Sequence, residues 1–380
     1  MEKKSSVRIA FTGDISFSKY FTDVWKNDFI DDGLKSWLRD TDHVVANVEC
    51  AVTEGEFEKS PFLQHASPPA ALRCIAEVGG DLWTLANNHT MDCGLPGLLD
   101  TRAAAASYGC RTFGAGENVD DAIKPVCLEE AGGIGIFSVV WNIGKVAATE
   151  TTPGCCLWTD KERIRENIRK IKEKNRWCIV VSHAGEEFAH IPMPIVQKRY
   201  REYLKMGADI VIGHHPHVVQ NYEQVGSKII FYSLGNFIFD TDYQRLQKNT
   251  DRGVLVKLEL TEQGFTWTHQ GVKINRADHR ILPAEAPGIF RNVTHLQQIL
   301  IWPFNTKHFW RNHFVARSHL KPALRTGTKK DWDDLNTEKY GRWPARQLRI
   351  GPVLYHLGYW RLAPREVRDY IKACTVDEPK

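Results

Sequence analysis

Ala208-Asp209-Ile210-Val211-Ile212-Gly213-His214-His215-Pro216-His217 is the stretch that decides the fold. A short apolar run closed by Gly and followed by polar residues predicts a buried strand that delivers a loop. The periodic segment before it, residues 194–206, predicts a helix. The loop puts three imidazoles within five residues, and His215 and His217 alternate around a rigid Pro. Two rings can then converge on one point, and neutral imidazole is the commonest protein metal ligand.

The same unit recurs outward along the chain. Residues 7–12, 42–46, 81–86, 133–140, 177–182 and 228–233 read as short buried strands. Residues 69–78, 95–108 and 160–174 read as helices, the last with Ile164, Ile168 and Ile171 on one face. Residues 253–260 and 265–272 read as a closing hairpin. Strands alternating with helices predict an α/β fold, and the later strands without helices predict a mixed or double sheet.

Composition sets the outer limits. Hydrophobic residues make up 42% of the 380 and charged residues 25%, the balance of a globular protein able to bury at least one large core. Residues 276–380 hold 19 Lys and Arg against 10 Asp and Glu, a basic tail behind an acidic body. With the Pro cluster at 283–287, this predicts a first domain over residues 1–281 and a basic, Trp/Arg-rich, mainly helical extension over 282–380. Short helices are expected at 293–301, 332–340 and 364–374. Nine Cys without regular spacing predict buried thiols in a reducing compartment. No run approaches the roughly 20 apolar residues of a membrane helix, and no signal peptide or anchor is expected. The expected location is the cytoplasm.

Metal-competent side chains recur at the predicted strand ends: Asp14, Glu49, Asn88 with His89, His183, the His214–His217 cluster, and Asn236. Ligands bind beyond the carboxyl ends of strands in open α/β sheets. Each residue alone has a plainer reading. Asp14 suits a turn or cap, Asn88-His89 a turn pair, Asp92 and Gly94 an N-cap and turn, and Asn236 a turn. Together they point to a metal site. Carboxylate, amide oxygen and imidazole suit Mn, Fe, Co or Zn, and no Cys belongs to the set. Six candidate ligands exceed one tetrahedral site and fit two ions about 3.5–4 Å apart. His89 is placed to protonate a leaving group while Asn88 binds metal. His214 and Asn236 are expected behind the ligands, holding them in orientation. The chemistry indicated is hydrolysis, most simply of a phosphoester.

At these residues the chain resembles the CapA/poly-γ-glutamate capsule synthesis family. The matching stretches are Thr12-Gly13-Asp14, Asn47-Val48-Glu49, Leu85-Ala86-Asn87-Asn88-His89 with Asp92 and Gly94, and His183-x-Gly185-x-Glu187. The resemblance continues through Gly207 to His217 and Tyr232-Ser233-Leu234-Gly235-Asn236-Phe237, covering roughly residues 7–240. It implies a variant of the calcineurin-like metallophosphoesterase fold, a four-layer αββα sandwich. It also implies that Asp14 binds the first metal and that Glu49 replaces the usual bridging Asp. Asn88 would be a ligand, His89 the catalytic acid and His183 a ligand of the second metal, with His215 and His217 as the terminal His-x-His pair.

The chain departs from that pattern in two places. Asp14-Ile15-Ser16 stands where metallophosphoesterases have Asp-x-His, which either weakens one metal site or brings in Glu187. Ala184 stands where the family has Trp. The expected function is a metal-dependent hydrolase acting on a phosphoester or a poly-γ-glutamate-like amide. The alternative is a non-catalytic factor for synthesis or export of an anionic polymer. A nucleic-acid role for the tail, where Arg and Lys interleave with Trp310, Trp332 and Trp343, ranks behind both. The expected partner is a small-molecule or anionic polymer substrate.

Overall fold

Alternation within the apolar runs sends successive side chains to opposite faces, and here both faces are buried. In the strand Ser6–Ile15, Val7, Ile9 and Phe11 enter one core while Ala10 and Ile15 enter another. In Trp177–His183, Ile179 and Val181 face the first of these cores, and Cys178 and Val180 a third. The computed structural model describes residues 5–54, 65–141 and 146–301.

Among the described residues two large sheets form. The eight-stranded sheet runs in the order Arg280–Ala284, Phe265–Asn275, Arg252–Thr261, Ser6–Ile15, His43–Val48, Gly80–Thr84, Arg111–Phe113. The short strand Asn236–Ile238 pairs in parallel with the end of Ser6–Ile15, with Asp14 opposite Asn236. The six-stranded sheet runs Tyr222–Val225, Lys228–Phe231, Ile210–His214, Trp177–His183, Ile134–Val140, Val126–Leu128. Its four central strands are parallel.

The inner core joins the two sheets: Val45 and Leu82 of one pack in the same cluster as Ile136, Ile212 and Phe231 of the other. Helices Asp32–Arg39 and Gly94–Ser107 bury Leu34, Leu38 and Leu98 against the outer face of the first sheet. Helices Lys161–Lys174 and Pro194–Met206 bury Ile164, Ile168, Ile171, Tyr200 and Tyr203 against the second. The chain is thus a mixed α/β protein with two facing sheets. The parallel strands of each sheet end at a common edge, where the strand-end residues meet.

Most predicted elements lie within a few residues of their expected bounds. The strands Arg111–Phe113, Val126–Leu128, Tyr222–Val225 and Asn236–Ile238 were not anticipated. They are short: Asn236–Ile238 pairs with the distant first strand and Arg111–Phe113 with Gly80–Thr84, while Val126–Leu128 and Tyr222–Val225 are edge strands paired with the next strand in the chain. The 281/282 division falls inside the strand Arg280–Ala284, which pairs antiparallel with Phe265–Asn275. Beyond it Ile289, Phe290 and Val293 sit in the inter-sheet core, so the first unit extends past that point. The last described helix is His295–Ile301, close to the expected 293–301. The expected helices at 332–340 and 364–374, and the basic residues around them, lie outside the described residues. No helix among the described residues is long and apolar enough to cross a membrane.

Candidate metal centre

Asp14 lies near the end of the strand Ser6–Ile15 and is fully buried. Its backbone N–H donates to the Gly235 carbonyl at 2.9 Å. That approach requires Gly13, where a Cβ would overlap the same carbonyl. Oδ1 of Asp14 accepts from the Asn47 amide at 2.8 Å and lies 3.0 Å from His214 Nδ1. Oδ2 lies 3.2 Å from His217 Nδ1. Burial alone would push the Asp14 carboxyl up, but His214 and His217 outweigh it and hold it well below the usual carboxylate range.

Glu49 follows the strand His43–Val48 and is also fully buried. Neither carboxylate oxygen accepts a hydrogen bond from a described residue. Oε1 lies 3.3 Å from His183 Nε2 and 3.6 Å from His217 Nε2. Burial raises its pKa well above the ordinary value; the His217 charge opposes this, while Asp14 and Glu187 add to it. For His217, burial would lower the pKa, but Glu49 and Asp14 lift it to about 10. His183 is held well below its usual value by burial.

His183 ends its strand with Nε2 2.8 Å from Asn88 Oδ1 and 3.2 Å from His215 Nδ1. His215 and His217 carry left-handed backbone, with φ of 95° and 56°. Such conformations cost of order 1–3 kcal/mol each and persist where the surroundings impose them. The rings end 6.0 Å apart, centroid to centroid. His217 Nδ1 lies 3.0 Å from Asn236 Oδ1, and the Asn236 amide donates to Gln244 and to the Thr250 carbonyl. Asn236 therefore braces His217 from behind.

Two sets of donor atoms each lie within 4.8 Å of one another: Asp14, Glu49 and His183; and Glu49, His215 and His217. Glu49 belongs to both. A buried carboxylate with neither oxygen hydrogen-bonded, ringed by imidazoles, is costly unless a cation compensates it. The donor set of carboxylate oxygens and imidazole nitrogens therefore fits a divalent metal.

His89 lies beside this set. Its Nδ1 is 2.7 Å from Asp92 Oδ2, which leaves Nε2 as its second ring nitrogen for a reacting group. Asp92 is not the N-cap of the following helix. Cys93 holds that position without a side-chain bond, and Asp92 is taken up by His89 and by the His65 backbone N–H. Glu187 is half-buried and makes no hydrogen bond or ion pair with the described residues; it acts on Glu49 and His217 through its field.

Two site residues escaped the sequence reading. Asn47 braces Asp14 and lies 3.3 Å from His183 Nδ1. Its spacing of two from Glu49 puts both on one strand face, a signal that was there to be used. His65 packs edge-on against His89 with centroids 4.2 Å apart, and nothing in its local sequence marks it.

Residues 8–241 match the family model described as bacterial capsule synthesis protein PGA_cap. The chain belongs to this family. Every strand-end residue named above, from Asp14 to Asn236, lies inside the PGA_cap match. The chain is 31% identical over 265 residues to the PGA biosynthesis protein CapA of Bacillus subtilis (strain 168), covering 67% of this chain and 68% of that protein. It is 29% identical over 276 residues to the capsule biosynthesis protein CapA of Bacillus anthracis, covering 69% and 66%. It therefore spans about two thirds of the length of these PGA_cap relatives. A crystal structure of a hypothetical protein from Thermus thermophilus aligns over 70% of this chain and 99% of its own, at 16% identity and a TM-score of 0.41.

Proposed function

We propose that this PGA_cap-family chain is a metal-dependent hydrolase of a phosphoester or of a poly-γ-glutamate-like amide, serving capsule polymer synthesis. The observation that carries this reading is the shared Glu49: one buried carboxylate, without a hydrogen bond at either oxygen, common to two sets of metal-competent donors. In this reading Asp14, Glu49 and His183 hold one divalent ion, with Asn88 in reach through its contact with His183. Glu49, His215 and His217 hold the other. Mn, Fe, Co and Zn all suit these donors. When bound, such ions supply an activated water and clamp the oxygens of an in-line displacement. The two facing sheets between helical layers then correspond to the four-layer αββα sandwich.

The chain's own residues supply the rest. Asp92 accepts from His89 Nδ1 and so turns Nε2 toward the leaving group, to which the ring, in its imidazolium form, gives its Nε2 proton and returns to the neutral Nδ1–H form. Asn47 and His214 hold Asp14, and Asn236 holds His217, each fixing a ligand's orientation. The basic extension, with 19 Lys and Arg against 10 Asp and Glu over residues 276–380, favours an anionic polymer as partner.

Elemental analysis and phosphodiester turnover of two variants test the proposal. His215→Ala is expected to lose metal and turnover together. His89→Ala is expected to keep its metal and lose turnover by about 10²-fold or more. Unchanged metal content and turnover in both variants would sink the reading. The second reading, a non-catalytic factor for synthesis or export of an anionic polymer, is motivated by Ser16, which leaves the first strand without an imidazole. A metal-free protein that binds polyglutamate would favour it.

A further inference from the structure

We propose that His65 is a positioning residue for His89, linking the turn after the first strand to the proton donor of the site. This rests on the reading of His89 as that donor. His65 is 1% exposed. Its Nδ1 lies 2.6 Å from Ser18 Oγ and 3.4 Å from Ser16 Oγ, and those two hydroxyls are 3.0 Å apart. Its ring stands edge-on to His89 at 4.2 Å and meets Phe239 at 5.1 Å on another side. Its backbone N–H donates at 2.7 Å to Asp92 Oδ2, the same oxygen that lies 2.7 Å from His89 Nδ1.

These contacts form one mechanical chain. The hydroxyls of Ser16 and Ser18 fix the His65 ring. The fixed ring sets the place of its own backbone N–H and walls in the His89 imidazole. The N–H and His89 then share one carboxylate oxygen, so the position of His65 governs the direction of the Asp92–His89 bond. Phe239 also lies 4.6 Å from the ring of His217, so the same packing reaches the metal-competent set. A space-filling residue at 65 would need the packing alone. The paired hydroxyls on Nδ1 are what a positioning role requires and a filler does not.

Burial holds the His65 pKa well below the ordinary histidine value. The ring is therefore neutral near neutral pH and does not compete with His89 as the acid.

The test compares His65→Phe, which keeps a ring but loses the hydroxyl anchor, with His65→Asn, whose amide restores a polar atom near the Nδ1 position. Bis(p-nitrophenyl) phosphate has a leaving group that needs little protonation, whereas phenyl phosphodiesters need it more. His65→Phe is expected to slow the phenyl substrate about tenfold or more while slowing the p-nitrophenyl substrate far less. KM and bound metal should not change, and His65→Asn should recover most of the loss. Equal slowing of both substrates, or of neither, would overturn the proposal.

Nitrogen-15 histidine spectra give a readout independent of turnover. Wild type should show one sharp His89 Nδ1–H signal, fixed by its bond to Asp92, and His65→Phe should broaden or double that signal. An unchanged His89 signal would also overturn the proposal, even if the wild type turned over neither substrate. The underlying reading fails separately: it falls if His89→Ala keeps full turnover, whatever His65 does.

Discussion

At Glu49 two demands meet in one side chain. The strand His43–Val48 delivers it into a space with no exposure, and no described residue donates to either oxygen. The same burial raises its pKa, and Glu49 in turn helps lift His217 to about 10. Without a cation the site therefore holds protons that ligation must displace, since metals bind carboxylate and neutral imidazole. The sign follows: metal affinity rises with pH until His217 deprotonates on its own near 10. Calorimetric titration with Mn or Zn, in two neutral buffers of different ionisation enthalpy, should show proton release. His217→Ala should release fewer protons. An enthalpy independent of the buffer would contradict the assignment.

At the scale of elements, the strand Ile210–His214 shows what local sequence can and cannot tell. Its apolar run and terminal Gly were legible, and the strand lies where they predict. The reason for Gly213 was not. A Cβ there would overlap the Tyr232 carbonyl, a backbone atom with no freedom to yield. Gly213→Ala should therefore cost about 3 kcal/mol or more, as overpacking does at its upper end. Gly264→Ala, in the hairpin turn with nothing within 4 Å of its Cβ, should stay within about 0.5 kcal/mol of wild type. Urea unfolding of both variants checks this, and equal stabilities would refute it. The helix Lys161–Lys174 was readable for a different reason. Ile164, Ile168 and Ile171 fall at helical spacing, and all three are buried. Tyr222–Val225 was not readable, because it is an edge strand held by pairing with Lys228–Phe231 rather than by its own periodicity.

At the scale of the whole molecule, the stretch after the last strand belongs to the fold. Ile289, Phe290 and Val293 enter the inter-sheet core, and Glu223 accepts from the His295 backbone and the Gln298 amide. A chain ending at residue 284 should lose roughly 3 kcal/mol or more, the cost of emptying a site the size of a buried Phe. The comparison is with a chain ending at 301, which keeps this packing. Thermal melts decide it, and equal melting of the 284 truncation would show that this packing contributes nothing.

The sequence alone determined the α/β class, the positions of the main strands and the types of candidate ligand at their ends. These are local properties, because apolar alternation and turn residues act over a few positions. Only the tertiary structure decided that Glu49 is common to both donor sets and that His65 walls in His89. It alone decided that His214 meets Asp14 across 200 residues. Those contacts arise where the ends of paired strands from two sheets converge, and convergence through space leaves no periodic trace along the chain.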